Sequence, residues 1–199
     1  MRGSIIIILF FIVGILIGSS DFFIEINSNS LSFYALCTLM FLVGMSIGGD
    51  SKILKSFKSL NPKLILLPLI TIIGTLVGSA LVSFILSGRS LTDCLAVGSG
   101  FGYYSLSSIF ITEYRGAELG TVALLSNIIR EIITLLFAPL LVTYFGKLAP
   151  ISSGGATTMD TTLPIITRYS GEAFIIVSIF HGFVVDLSVP FLVVLFCSI

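Results

Sequence analysis

Apolar runs of close to twenty residues recur along the chain, separated by short polar stretches. Residues 5–18, preceded by Arg2, form the first run. Ile17-Gly18-Ser19-Ser20 offers no clear A-x-A-like cleavage pattern and further runs follow, so this reads as a retained helix rather than a cleaved leader. A polar loop with Asp21 and Glu25 leads to a second run at 30–48, which stops at Gly48-Gly49-Asp50. Lys52, Lys55, Lys58 and Lys63 form the basic cluster, the first three at helical spacing. Residues 64–88 are uncharged and carry Gly74 and Gly78 in a small-xxx-small arrangement that lets neighbouring helices approach closely. Further segments follow at 91–113, 119–146, 150–168 and 173–199. A helical span needs about 20 apolar residues. The pattern therefore predicts an all-α polytopic membrane protein, a single transmembrane transporter domain over 1–199 with about seven membrane-embedded segments.

Two of those segments are interrupted, which predicts broken or re-entrant structure. The run at 91–113 has Gly98-Ser99-Gly100-Phe101-Gly102-Tyr103-Tyr104-Ser105 at its centre. Each glycine weakens a helix by about 1 kcal/mol relative to alanine. Irregular backbone at membrane depth survives only where protein or a water-filled cavity satisfies it. A break at Gly100 and Gly102 would expose amides at the start of a second half, from Tyr104 and Ser105 onward, a partially positive end that attracts carboxylates. The segment at 150–168 holds Gly154-Gly155, Pro164, and Asp160 among Thr157, Thr158, Thr161 and Thr162, whose hydroxyls suit either an ion or freed carbonyls. Two interrupted segments in one chain point to a binding site near the bilayer midplane.

The long run at 119–146 carries Asn127, Arg130, Glu131 and Thr134 at spacings that put them on one polar face. Charge at bilayer depth costs a few kcal/mol, so the face needs a cavity or a partner to cover it. An Arg130–Glu131 pair that only stitches helices together is the structural alternative. In the last run, His181 and Asp186 are five residues apart and do not share one face, and Pro190 removes the amide that would bond the Asp186 carbonyl.

Composition adds exclusions. The chain is 56% hydrophobic and 10% charged with no formal net charge, which argues against nucleic acid as a partner and leaves the lipid bilayer as its surroundings. Cys37, Cys94 and Cys197 lie inside apolar runs without CxxC spacing and read as small buried hydrophobes, neither a disulfide framework nor a metal site. No cofactor is expected. The positive-inside rule makes the lysine-rich loop cytoplasmic, which puts the N-terminus inside, the C-terminus outside, and Arg115 and Arg168 on the cytoplasmic side.

GSGFGYYSLSSIFITE at 98–113, SNIIREI at 126–132, GGATTMDTTLP at 154–164 and HGF at 181–183 resemble the LysO family of bacterial lysine exporters over nearly the whole chain. The resemblance implies export of L-lysine, and of analogues such as thialysine, across the bacterial inner membrane, driven by an ion gradient. It implies that Glu131 is an essential intramembrane acid and that Asp160 and its neighbouring glycines form a second motif. Full-length members carry a further N-terminal block of about three helices. The expectation is therefore that a separate N-terminal-half membrane subunit, or a homo-oligomer, completes the site. Lysine brings one carboxylate and two ammonium groups. Glu131, Asp160 and Asp186 offer negative charge, and Arg130 or a half-helix N-terminus offers a seat for the carboxylate. A sodium/proton antiporter or small-ion channel would use the same acids and threonines. An enzyme is not expected: Ser99 with His181, or Asp160 with Asp186, comes without a local signature such as G-x-S-x-G, and no P-loop is present.

Overall fold

The computed structural model describes residues 62–199 apart from Ser87, and in the first third only the helical residues Val13, Leu16, Tyr34, Thr38, Phe41 and Met45. The chain divides into two compact units, Met1–Ser51 and Lys52–Ile199. Apart from those six residues, the runs predicted at 5–18 and 30–48, like the lysines at 52, 55 and 58, lie outside the described residues. In the first unit, the Thr38 hydroxyl donates to the Tyr34 carbonyl one turn back.

The second unit consists of helices and the turns that join them among its described residues. In chain order it contains α1 (Pro62–Ile85), α2 (Leu91–Gly98), α3 (Tyr104–Arg115), α4 (Ala117–Phe145) and α5 (Ala149–Gly154). A 3-10 turn (Gly155–Met159), α6 (Leu163–Ser170), a short 3-10 turn (Glu172–Phe174) and α7 (Ile175–Ser198) complete it. Three stretches, Leu64–Ile85, Ala117–Phe145 and Glu172–Ser198, are long and apolar enough to cross a membrane. They carry large exposed apolar side chains such as Ile73, Phe84, Leu136 and Phe191, which hydrocarbon would cover.

The interrupted segments fold back on themselves as hairpins. Helix α2 starts with a capping box: the Ser90 hydroxyl accepts from the Asp93 amide at 3.0 Å, and the Asp93 carboxylate accepts from the Ser90 amide at 3.4 Å. At the other end of the pair, Arg115 in the last turn of α3 reaches back to Asp93 at 3.6 Å. It also donates to the Cys197 carbonyl at the end of α7, at 2.9 Å. Helix α3 thus returns to the face where α2 began, beside the end of α1. Helices α5 and α6 do the same from the opposite face. Leu67 of α1, Ile151 of α5, Ile166 of α6 and Val177 of α7 form one buried apolar cluster, with Leu64, Leu148 and Phe174 packed on it. All of these lie near the start of α1 or of α7.

The architecture of this unit is therefore three membrane-long helices and two helical hairpins, α2–α3 and α5–α6, whose tips approach each other from opposite ends of the bundle. This corrects the topology on one point. Arg168, at the end of α6, shares the face where α1 starts, but Arg115 lies on the other face with the end of α7.

Candidate functional site where the hairpin tips meet

The two tips touch inside the bundle. Helix α2 ends at Ser99, and the chain turns through Phe101 and Gly102, at φ 46° and 97°. The second tip turns at Gly155, φ 63°, directly after α5. The Ala156 amide donates to the Phe101 carbonyl at 2.9 Å. A Cβ on Gly155 would run into that same carbonyl oxygen, and one on Gly102 would sit 3.1 Å from the Gly154 carbonyl. Glycine is required here by both the positive φ and the closeness of the two backbones.

Helix α4 holds both tips. Asn127, almost fully buried, accepts from the Gly102 amide at 2.7 Å and donates to the Ala123 carbonyl at 2.8 Å. Gly100 lies against the Asn127 amide group and the Ser107 hydroxyl, and a side chain there would displace both. One turn on, Arg130 donates through Nε to the Ser153 carbonyl at 2.8 Å and through Nη2 to the Ser152 carbonyl at 3.1 Å. Its Nη1 reaches the Thr75 hydroxyl of α1 at 3.3 Å, and the guanidinium lies 5.9 Å from the Phe101 ring centroid. The carbonyls of Ser152 and Ser153 belong to the last turn of α5, where orphaned acceptors gather partial negative charge. Thr134 adds a hydroxyl contact to Ser153 Oγ at 2.7 Å.

This redistributes the predicted polar face. Asn127, Arg130 and Thr134 are spent on backbone and side-chain groups of the hairpins. Three of the five N–H groups of Arg130, one on Nε and one on each terminal nitrogen, are given to protein acceptors, which gives the side chain a positioning role beside the carboxylate seat expected of it. The stitching pair is not formed either. Among the described residues, half-buried Glu131 has no hydrogen-bond or ion-pair partner.

Thr158 and His181 are also committed to the scaffold. The Thr158 hydroxyl donates to the Gly155 carbonyl at 2.8 Å, lies 2.9 Å from the Ser178 carbonyl, and is 3.3 Å from His181 Nδ1. His181 Nε2 lies 3.0 Å from the Thr71 hydroxyl, so the imidazole ties α7 to α1 and to the second tip. Thr157 likewise satisfies the Gly154 carbonyl at 2.9 Å. Of the two predicted uses for these hydroxyls, Thr157 and Thr158 serve freed carbonyls. Ser99 donates to Leu95 and does not meet His181.

The remaining predicted residues are not tied into this scaffold. Asp160 and Thr161 are exposed, the Asp160 carboxylate accepting from the Thr161 amide. Tyr104 and Ser105 begin α3, where Tyr103 provides no side-chain cap, and the Ser105 and Leu106 amides have no acceptor among the described residues. Asp186 is buried on α7. A cavity of about 650 Å³ runs between α1, α2 and α4, from Arg89 and Asp93 at one face to Thr75 beside the Arg130 contact. The sequence reading missed Thr75, Phe101, Tyr103 and Ser153. Thr75 sits in an uncharged run and Ser153 in a loop-like one, so neither carried a local signal. Phe101 and Tyr103 lie inside the Gly-rich motif, where the glycines carry the stronger signal.

The family profile described as "Lysine exporter LysO" matches residues 8–197. The "Lysine exporter LysO" of Escherichia coli (strain K12) is 34% identical over 187 residues, covering 94% of this chain and 62% of the relative. The "Putative lysine exporter" of Haemophilus influenzae (strain ATCC 51907 / DSM 11121 / KW20 / Rd) is 35% identical over 189 residues, covering 94% of each chain. The chain thus spans less than two thirds of the first relative and nearly all of the second. No solved structure matches. On a match that extends over nearly its full length, this chain belongs to the LysO lysine exporter family.

Proposed function

We propose that the protein is a secondary transporter that exports L-lysine, and analogues such as thialysine, across the bacterial inner membrane at the expense of an ion gradient. The observation that carries this reading is the contact of the two hairpin tips, Ala156 to Phe101, between membrane-long helices. Irregular backbone and open helix ends meeting between membrane-long helices support a binding site served from both faces. The names of the two relatives supply the substrate class.

In this reading Glu131 and Asp160 attract the ammonium groups, and the free amides of Ser105 and Leu106 at the start of α3 take the carboxylate. Lys63, Lys147 and Arg168 lie on the face where α1 starts, whereas Arg89 and Arg115 on the other face are paired with Glu118 and Asp93. The positive-inside rule then makes the first face cytoplasmic and the C-terminus external. A separate N-terminal-half membrane subunit, or a second copy of the chain, covers the Glu131 side of α4.

Counterflow of radiolabelled lysine into liposomes, with and without a pH gradient, tests the assignment. Lysine-dependent counterflow supports it. Ion flux independent of lysine, with no counterflow, replaces it with a sodium/proton antiporter or channel. Full transport by the homogeneous chain removes the need for a second subunit.

A further inference from the structure

Asp186 is 7% exposed and, among the described residues, its carboxylate has neither a hydrogen-bond donor nor a cationic partner. A carboxylate on a residue this buried is normally paired or hydrogen-bonded, and its oxygens, unlike the enclosed Ser170 hydroxyl, open onto accessible space. The charged groups nearby do not relieve it. Arg130 is turned onto the carbonyls of Ser152 and Ser153, and His181, five residues earlier on the same helix, bridges Thr71 and Thr158. Asp160 and the Tyr103 hydroxyl lie within electrostatic range of Asp186, and Asp160 adds charge of the same sign.

The backbone contributes another acceptor. Pro190, inside α7, has no amide to offer the Asp186 carbonyl four residues earlier. The surroundings of Asp186 thus comprise two carboxylate oxygens, a released carbonyl, a phenolic oxygen, and exposed Asp160 within reach. Apart from the Tyr103 hydroxyl, which turns to donate or accept, these groups are acceptors without donors, which suits a cation that brings its own hydrogens.

We infer that Asp186, with its Pro190-released carbonyl and Tyr103, forms a subsite for a primary ammonium group of the transported amino acid, separate from Glu131. The inference rests on the export reading above. A primary ammonium has three donors and no acceptor, and it matches this acceptor set. It would bring to the buried carboxylate the charge and the hydrogen bonds that the protein withholds. Asp160, exposed in the second hairpin, attracts the cation inward.

The test uses the full chain in lipid nanodiscs at fixed pH. Calorimetric titration with L-lysine compares wild type with Asp186→Asn, which keeps the size and removes the charge. Loss of a charge-assisted contact is expected to weaken lysine binding by about tenfold to a hundredfold. A second measurement needs no variant: carbodiimide modification of Asp186 in the wild-type chain, followed by mass spectrometry. Lysine is expected to protect Asp186, whereas sodium chloride at equal ionic strength is not. Protection by sodium and not lysine would assign the site to an inorganic cation and overturn the inference. Protection by neither ligand in a chain that binds lysine, or unchanged lysine affinity in Asp186→Asn, overturns it while leaving the export reading intact. Absence of any lysine signal in wild type overturns both.

Discussion

The Ala156 amide donates to the Phe101 carbonyl at 2.9 Å, joining the turn of one helical hairpin to the turn of the other across 55 residues of sequence, 156 minus 101. No regular element links these two residues. Their contact depends on two backbones coming closer than a β-carbon allows, on Asn127 holding one turn, and on Arg130 holding the other. The candidate site is a property of that crossing, and α4 is the element that holds its two turns.

Gly155→Ala should therefore be among the most damaging small substitutions in the chain. It combines a φ of 63° with a collision against the Phe101 carbonyl. A cost of about 1–3 kcal/mol is expected from the backbone conformation alone. Gly74→Ala, in α1 with nothing within 4 Å of the added carbon, should be neutral or slightly stabilising. Thermal unfolding of the two variants in detergent measures the difference, and equal melting points would count against the crossing as drawn.

Arg130 separates a positioning role from a substrate role. Lysine cannot reproduce two parallel donations to the carbonyls of Ser152 and Ser153. Arg130→Lys should lower stability by about 1–3 kcal/mol and reduce the amount of active protein, while the KM for lysine in the folded fraction stays near wild type. A KM raised severalfold at unchanged melting temperature would return Arg130 to the substrate.

Glu131 has no protein partner to lose among the described residues. Glu131→Gln should leave folding and membrane insertion intact and abolish lysine and thialysine export. Glu118→Gln removes the exposed contact to Arg89 and should be mild by comparison, since surface ion pairs are worth little. Cells that keep near-normal thialysine resistance with Glu131→Gln would exclude Glu131 from the mechanism.

Re-entry makes a distinctive topological prediction. Single cysteines introduced as Arg115→Cys and Ile199→Cys should react with an impermeant thiol reagent from the same side of the membrane. Lys147→Cys and Arg168→Cys should react only from the opposite side. Labelling of Arg115→Cys and Arg168→Cys from one side would mean that a hairpin crosses after all.

By itself the sequence determined the membrane class and the membrane-long helices α1, α4 and α7, because apolar runs of twenty residues or more with few charges have few other stable solutions. It also located both interruptions, since clustered glycine disfavours helix whatever surrounds it, and it marked Asn127, Arg130, Glu131, Asp160 and Asp186 as polar groups that needed an explanation. Whether an interrupted segment crosses or returns was not legible: hydropathy and periodicity are the same for a broken span and for a hairpin of equal length. Only tertiary contacts decided it, Arg115 with Asp93 on one face, and Ile151 with Ile166 and Leu67 on the other. Tertiary structure likewise decided which polar groups are used up. Helical spacing put Asn127, Arg130, Glu131 and Thr134 on one face, but the carbonyls and amides that claim Arg130 and Asn127 come from Ser152, Ser153 and Gly102, more than twenty residues away. A hydrogen bond between distant backbone turns depends on how the chain returns, and local composition carries no record of that.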